Sequence, residues 1–388
     1  MKITPGFKVR GFILAAAFFA GLGFGTSASA QALSAYLIDL NSKTVTNVGT
    51  LGGTYIEPRG INDAGQVVGT SYTAGDAALH AFITGPSGMG MKDLGTLGGN
   101  YSGAFGINNA GQVVGQSYRA GGEQHAFITG PNGTGMRDLG TLGGSYSLAF
   151  GVNDSGQVVG FSDRAGGGLP HAFITGVNGM GMRDLGTLSG DEESLAFGVN
   201  DTGQVVGSSI AAPLVAIHAF ITGPNGMGMR DLGTLGGHTS DPSSGRDINK
   251  AGQVAGTSPT AGGSSHAFIT GPDGMGMRDL GTLGGFRSEA FGINDDGQVV
   301  GGSDLVGGSS HAFITSPNGE GMLDLNSLVD LPAGVILYQA NDINNTGQVV
   351  AVGTIPEPEI FALFLAGLAM IGVIARRKKM RAAAFSLR

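Results

Sequence analysis

The run Ala149-Phe150-Gly151-Val152-Asn153-Asp154-Ser155-Gly156-Gln157-Val158-Val159-Gly160 leads through a variable loop to His171-Ala172-Phe173-Ile174-Thr175. A Gly-rich turn then brings Met182-Arg183-Asp184-Leu185-Gly186-Thr187-Leu188. This unit recurs along the chain, and a repeat has to be settled before any local reading. Measured on Gly-Gln-Val-Val-Gly, copies begin at Gly65, Gly111, Gly156, Gly203, Gly252, Gly297 and Gly347, in steps of 46, 45, 47, 49, 45 and 50 residues. Ala255 and Ala351 replace consensus residues in two of them. The second half begins at His80, His125, His171, His218, His266 and His311. A degenerate copy, Ala35-Tyr36-Leu37-Ile38-Asp39-Leu40 with Val45 to Leu51, precedes them, so each half occurs seven times.

Each half reads as a β-hairpin. In the first, a short apolar strand meets Asn-Asp-x-Gly, whose residues tolerate the left-handed conformations of tight turns, and continues into Gln-Val-Val-Gly. In the second, Ala-Phe-Ile-Thr, a Gly-Pro-Asn-Gly turn and Met-Arg-Asp-Leu-Gly make another pair. Two hairpins give four strands about every 45 residues, the pattern of a β-propeller blade. A single sheet of this size cannot cover both apolar faces, so neighbours must do it, and a closed ring leaves no wet end. The chain runs from a second half-unit to a first half-unit, Ala340 to Val352, so the terminal hairpins are expected to complete one blade together. The expected fold is all-β: a seven-bladed β-propeller of four-stranded repeats over residues 31–353. Periodicity alone leaves open which strand lines the centre.

Glycine occurs 74 times and cysteine not at all, with 13% charged residues. Glycine at that level suggests low complexity or collagen. The glycines fall instead at fixed slots beside recurring Phe, Val, Ile and Leu, and read as turn and bulge positions. The absence of cysteine excludes disulfides and Cys-based zinc sites or nucleophiles. Formal charge is −8 overall. Nine of the 21 basic and two of the 29 acidic residues lie outside 31–356, which leaves that span at −15. Such a surface disfavours nucleic acid and anionic lipid as partners.

Both chain ends are distinct. Lys2, Lys8 and Arg10, the apolar stretch Gly11 to Gly23 and the small residues Ala28-Ser29-Ala30 read as a signal peptide over residues 1–30, cleaved after Ala30. At the other end, Ile355-Pro356-Glu357-Pro358 precedes an apolar run from Ile360 to Ala375 and the cluster Arg376-Arg377-Lys378-Lys379. The run is long enough to cross most of a bilayer as a helix, with the basic tail 376–388 on the cytoplasmic side. The three-part segment 354–388 resembles the Pro-Glu-Pro C-terminal sorting signal (PEP-CTERM) of Gram-negative bacteria. That resemblance implies transient membrane retention, recognition by an exosortase near Pro356, Glu357 and Pro358, and delivery to the cell surface or exopolysaccharide matrix. The His-Ala-Phe-Ile-Thr, Asp-Leu-Gly-Thr-Leu-Gly-Gly and Ile-Asn-Asp-x-Gly-Gln-Val-Val-Gly motifs resemble the HAF-type extracellular repeat, which implies an extracellular location and brings no established biochemical activity with it.

Several recurring residues invite a functional reading. Were their strand innermost, the six histidines would converge on one axis and could hold a transition metal. No unit adds a second His or Cys, so each is expected to sit at a strand start and hydrogen-bond a neighbouring unit's backbone. His238 falls outside the set as a loop residue. The turn acids Asp63, Asp154, Asp201 and Asp295 lack the six to eight oxygens that calcium needs and read as Asx-stabilised turns. Asp93, Asp138, Asp184, Asp231, Asp279 and Asp324 recur too regularly for catalysis and read as inter-strand acceptors. Tyr55, Tyr101 and Tyr146 share one slot in consecutive units, with Tyr72 and Tyr118 nearby, and form a possible ligand rim for sugar rings. Asp191, Glu192 and Glu193 read as a solvated acidic loop, since paired-carboxylate catalysis needs facing groups at a defined separation. No catalytic residue, metal site or cofactor is assigned. The leading expectation is a secreted, non-enzymatic binding or scaffolding protein with extracellular polysaccharide as a candidate partner. The alternatives are a glycan-acting enzyme on the same scaffold and a β-solenoid with a structural or ice-surface role.

Overall fold

The computed structural model describes residues 33–211, 216–237 and 242–354. The expected signal peptide with Ala28 and Ala30, the Pro356-Glu357-Pro358 motif, the 360–375 helix, the Arg376-to-Lys379 cluster and His238 lie outside them. Within them the fold is all-β, broken only by 3-10 turns, and no helix is long and apolar enough to cross a membrane.

The third unit shows the construction. Its strands Gly143–Val152, Val158–Arg164, His171–Thr175 and Met182–Gly186 pair antiparallel in chain order. The same order recurs in the units from Gly52, Gly98, Glu193, Ser244 and Gly284. The first three of these sheets run together through single parallel pairs, Leu79 with Tyr101 and Gln124 with Tyr146. The remaining sheet is made from both chain ends. Leu33–Asp39 pairs with Gln348–Thr354, which pairs on its other side with Ile336–Ile343.

The third strand is buried on both faces, which explains its unbroken apolar reading in place of a one-sided alternation. Phe173 packs backward on Val114, Ala126 and Ile128 of the preceding unit. Ala172 and Ile174, on the opposite face, pack forward with Ala196, Val205 and Phe220 of the next. All six phenylalanines of this slot are fully buried, so every interface between these units has an aromatic centre. The last glycine of Gly-Gln-Val-Val-Gly makes room for it. A Cβ on Gly207 would lie 1.9 Å from the Leu195 carbonyl and 2.8 Å from Phe220. In the outer turns, Asn132, Asn178, Asn225, Asp273 and Asn318 adopt φ of 53–57°, a left-handed conformation that Asn and Asp tolerate best after glycine.

The first strand of each unit is innermost and walls a central channel. Beside it runs a circuit of amides. Asn62 Nδ2 donates to the Asn108 carbonyl at 3.1 Å, Asn108 to Asn153 at 2.9 Å and Asn153 to Asn200 at 3.0 Å. Asn200, Asn249 and Asn294 continue it to Asn249, Asn294 and Asn344. Asn344 returns to the Asn62 carbonyl at 2.9 Å. The circuit closes on itself, which an open solenoid does not do.

Phe173→Ala removes a fully buried ring that two units share, and it should destabilise the protein by about 3–5 kcal/mol in urea or guanidinium unfolding. A loss below about 1 kcal/mol would place the ring outside the interface.

Candidate functional site

The repeat motifs do structural work once the strand order is known. His80, His125, His171, His266 and His311 lie on third strands, away from the channel, and Nδ1 of each meets a carboxylate of the adjoining fourth strand: Asp93, Asp138, Asp184, Asp279 and Asp324, at 2.7–2.9 Å. The partner is thus a carboxylate of the same unit and not a neighbour's backbone, as the sequence had suggested. It is set by a strand register that joins residues 13 apart. The acids also accept the backbone N–H two residues on, as in Gly186 to Asp184 at 2.7 Å. Among the described residues no group of three or more His, Asp or Glu could hold a metal ion. The turns correct the reading by one residue. Asn153 Oδ1 accepts the Gln157 N–H and so forms the Asx-type closure. Asp63, Asp154 and Asp295 face across units, accepting the N–H of Asn345, Asn109 and Lys250.

The acidic loop is not uniformly solvated. Asp191 turns inward, its side chain only 5% exposed, and Oδ2 lies 3.8 Å from Nδ1 of His218. Glu192 stays exposed and Glu193 is half-buried, with burial raising its pKa. No facing carboxylate pair results.

The tyrosines form a packed row. Tyr55 meets Tyr72 edge-on at 5.8 Å, Tyr101 meets Tyr118 at 5.6 Å, and Tyr146 meets Phe161 at 5.7 Å. All three are half-buried. Burial raises their pKa values, that of Tyr55 to about 12 with the Glu57 charge adding to it. Tyr55 donates to Glu57, while the Tyr101 and Tyr146 oxygens accept from Gln116 and Gln124.

The feature that sequence reading missed lies in the channel. In every unit the first strand breaks register after its fourth-last residue, between Pro58 and Gly60, Ala104 and Gly106, Ala149 and Gly151, Ala196 and Gly198, Gly245 and Asp247, Ala290 and Gly292, and Ala340 and Asp342. A β-bulge re-aims its extra residue. Here those residues are Arg59, Phe105, Phe150, Phe197, Arg246, Phe291 and Asn341, and all line one cavity of about 230 Å³. Phe105, Phe150 and Phe197 form a row with centroids 5.3 and 5.1 Å apart. Arg59 lies over one end, 5.6 Å from Phe105, and Arg246 over the other, 5.0 Å from Phe197. Guanidinium groups at such distances are held by the ring quadrupole. Arg59 is ion-paired with Glu57. Arg246 makes no ion pair among the described residues.

Just beyond, Asp247 and Asp342 replace the glycine that other units carry at this slot. Each carboxylate accepts its following N–H and one from the next unit: Ile248 at 2.8 Å and Ile293 at 3.0 Å for Asp247, Ile343 at 2.8 Å and Ile61 at 2.9 Å for Asp342. Burial pushes Asp247 up to about 6; it raises Asp342 well above 3.8, with the Asp247 charge adding to the rise. The signal for all five departures was in the sequence. Aligned on Asn-x-x-Gly-Gln, Arg59, Arg246 and Asn341 stand where other units have Phe, and Asp247 and Asp342 where they have Gly.

The PEP-CTERM protein-sorting motif matches residues 354–379. It marks an exported protein sorted to the cell surface, and it is the signal that exosortase, a processing enzyme, recognises. No curated protein matches the chain in sequence. Among solved structures, an oligogalacturonate lyase from Vibrio parahaemolyticus aligns at 9% identity and TM-score 0.50, covering 84% of this chain and 97% of its own. A putative TolB from Agrobacterium tumefaciens aligns at 10% identity and TM-score 0.48, over 84% and 99% of the two chains. The β-propeller domain of the trilobed protease from Pyrococcus furiosus aligns at 11% and 0.49, over 74% and 87%. At such identities the likeness concerns the fold alone, an all-β fold whose neighbours are β-propeller proteins.

The channel acids predict a pH dependence. The folded chain keeps a proton on Asp247 up to about 6, whereas the unfolded chain releases it near 3.8, so stability falls as pH rises through that window. Asp342 carries the fall higher. Asp247→Gly, the residue of other units, should flatten this slope by roughly 1–3 kcal/mol, read from denaturant unfolding between about pH 4 and pH 8. An unchanged slope would mean that the carboxyl is solvated as in the unfolded chain.

Proposed function

We propose that the chain is a surface-sorted, non-enzymatic seven-bladed β-propeller of HAF-type repeats that binds or scaffolds extracellular polysaccharide through its channel mouth and tyrosine rim. The blade count is supported by the seven-membered amide circuit and by the sheet that joins both chain ends. The extracellular setting is supported by the sorting motif at 354–379.

The observation that carries the binding reading is the placement of the departures from the repeat. Apart from Asn341, which donates to the Pro58 carbonyl of the next unit, the bulge residues are not what holds neighbouring units together, because the third-strand phenylalanines and the Asn circuit do that. Yet the bulges carry a row of aromatic faces flanked by two guanidinium groups, aimed into one recess. Half-buried rings beside polar groups offer stacking surface and hydrogen-bond partners, the combination that a sugar ring uses. The row also leads outward. Phe150 meets Phe161 at 6.0 Å and Phe161 meets Tyr146, so channel and rim form one aromatic path. The rim acids of the enzymatic alternative do not face each other: Asp191 turns towards His218 and leaves Glu192 without an opposing carboxylate.

Retention of the full chain on the producing cell's own exopolysaccharide tests this reading. The wild type should be retained, and Phe150→Ala, which removes the middle of the row, should weaken retention by about tenfold, or about 1.4 kcal/mol, at an unchanged melting temperature. No retention of the wild type would reject it. The sorting half is tested separately. Replacing Pro356, Glu357 and Pro358 by alanine should leave the protein in the membrane fraction, and release at the normal rate would reject processing there.

A further inference from the structure

The channel mouth has an electrostatic character that a binding site for neutral sugars does not require. The span 31–356 carries a formal charge of −15, so the surface at large repels polyanions. Within the recess the balance reverses at one point. Arg246 is exposed to the cavity and has no carboxylate at ion-pair distance among the described residues. Asp247 and Asp342 are nearby, but their oxygens are engaged by four backbone N–H groups. Phe197 supports the Arg246 guanidinium from below. The free edge of the fork, which can only donate, is left for something else.

Resting on the reading of the mouth as a glycan site, we infer that it takes the terminal sugar of a carboxylate-bearing polysaccharide, with the carboxylate on Arg246 and the ring face on the Phe197–Phe150 row. Guanidinium and carboxylate are planar and pair through two parallel hydrogen bonds, and a sugar lying flat on a ring presents a carboxylate at its edge. Arg246 lies over the end of that row, so the two contacts are compatible in one pose. Arg59 stands at the far end of the row with its charge answered by Glu57, so it competes only weakly for the carboxylate. The cavity, about 230 Å³, is smaller than the roughly 300–1,000 Å³ of pockets for drug-sized ligands, so it admits one ring and not a folded chain. Phe161 and Tyr146 supply the way out for the rest of the polymer.

The test compares a glucuronate-terminated tetrasaccharide with its carboxyl-reduced counterpart, which has the same rings and no charge, by titration calorimetry on the full chain. The acidic probe should bind about tenfold tighter, a difference of about 1.4 kcal/mol. Arg246→Phe, the residue of four other units, should erase that difference. Arg246→Lys keeps the charge but not the fork, and should give an intermediate ratio if Arg246→Phe does not fold. Equal affinities in the wild type would overturn the inference and leave the glycan reading standing. So would a preference that survives both substitutions, or a sulfated probe that binds more tightly than the carboxylate. Binding of neither probe, with no retention on native exopolysaccharide, would overturn the glycan reading itself.

Discussion

Seven side-chain amides hold the inner edge of this molecule, and the remaining contacts depend on the spacing they set. Each asparagine does two jobs. Its oxygen accepts the N–H of the glutamine four residues on, closing the turn of its own hairpin, and its nitrogen reaches the carbonyl of the next asparagine. These groups are buried, where an unpaired amide costs about 1–3 kcal/mol, so one missing member would leave both a turn and a neighbour unsatisfied. The buried phenylalanines then fill a gap whose width is already fixed. On the outer edge the basic residue of the fourth strand repeats the device at lower strength. Arg137, for example, donates to the Asn178 carbonyl of the following unit at 2.6 Å.

A scaffold bound in this way leaves the bulge slot of most units with little to do for stability. Asn341 is buried and bonds the Pro58 carbonyl, but the other bulges aim an incompletely buried residue into the channel. Three slots carry phenylalanine in succession, and the row they form ends on arginine at both sides. The adjoining glycine slot is tighter. A Cβ on Gly292 would come within 2.9 Å of Asp342, so one unit's carboxylate occupies the space that its neighbour's glycine leaves open. Charge therefore enters this wall only where the adjacent unit yields room.

The repeat, its two hairpins and the junction of the chain ends were legible in the sequence because turn chemistry and half-unit order are local properties. The pairing of Leu37 with Val350 follows from that order. The inner strand was not legible, since four equally spaced strands look alike from either edge. The histidines show the consequence: their partners are fixed by the register between third and fourth strands, and the constant step of 13 residues from His to Asp becomes a contact only once that pairing is known. Two classes of phenylalanine were also merged. Phe173 is fully buried between units, whereas Phe150, in an equally apolar stretch, is only half-covered at the channel wall. The bulge separates them, and its trace in the sequence is no more than a glycine after the ring. Strength of consensus drew attention to the structural slots and away from Arg246 and Asp342, whose interest lies in breaking it.

The sheet that joins the chain ends also decides how the molecule bears load. Gln348–Thr354 lies between two antiparallel partners, with Thr354 opposite Leu33 on one side and Ile336 on the other. The sorting motif begins at residue 354, at the end of that same strand. A pull applied at Thr354 along the strand axis would load both ladders at once, instead of peeling one hydrogen bond at a time. Tension along that strand would be shared by two rows of backbone hydrogen bonds before reaching any other unit.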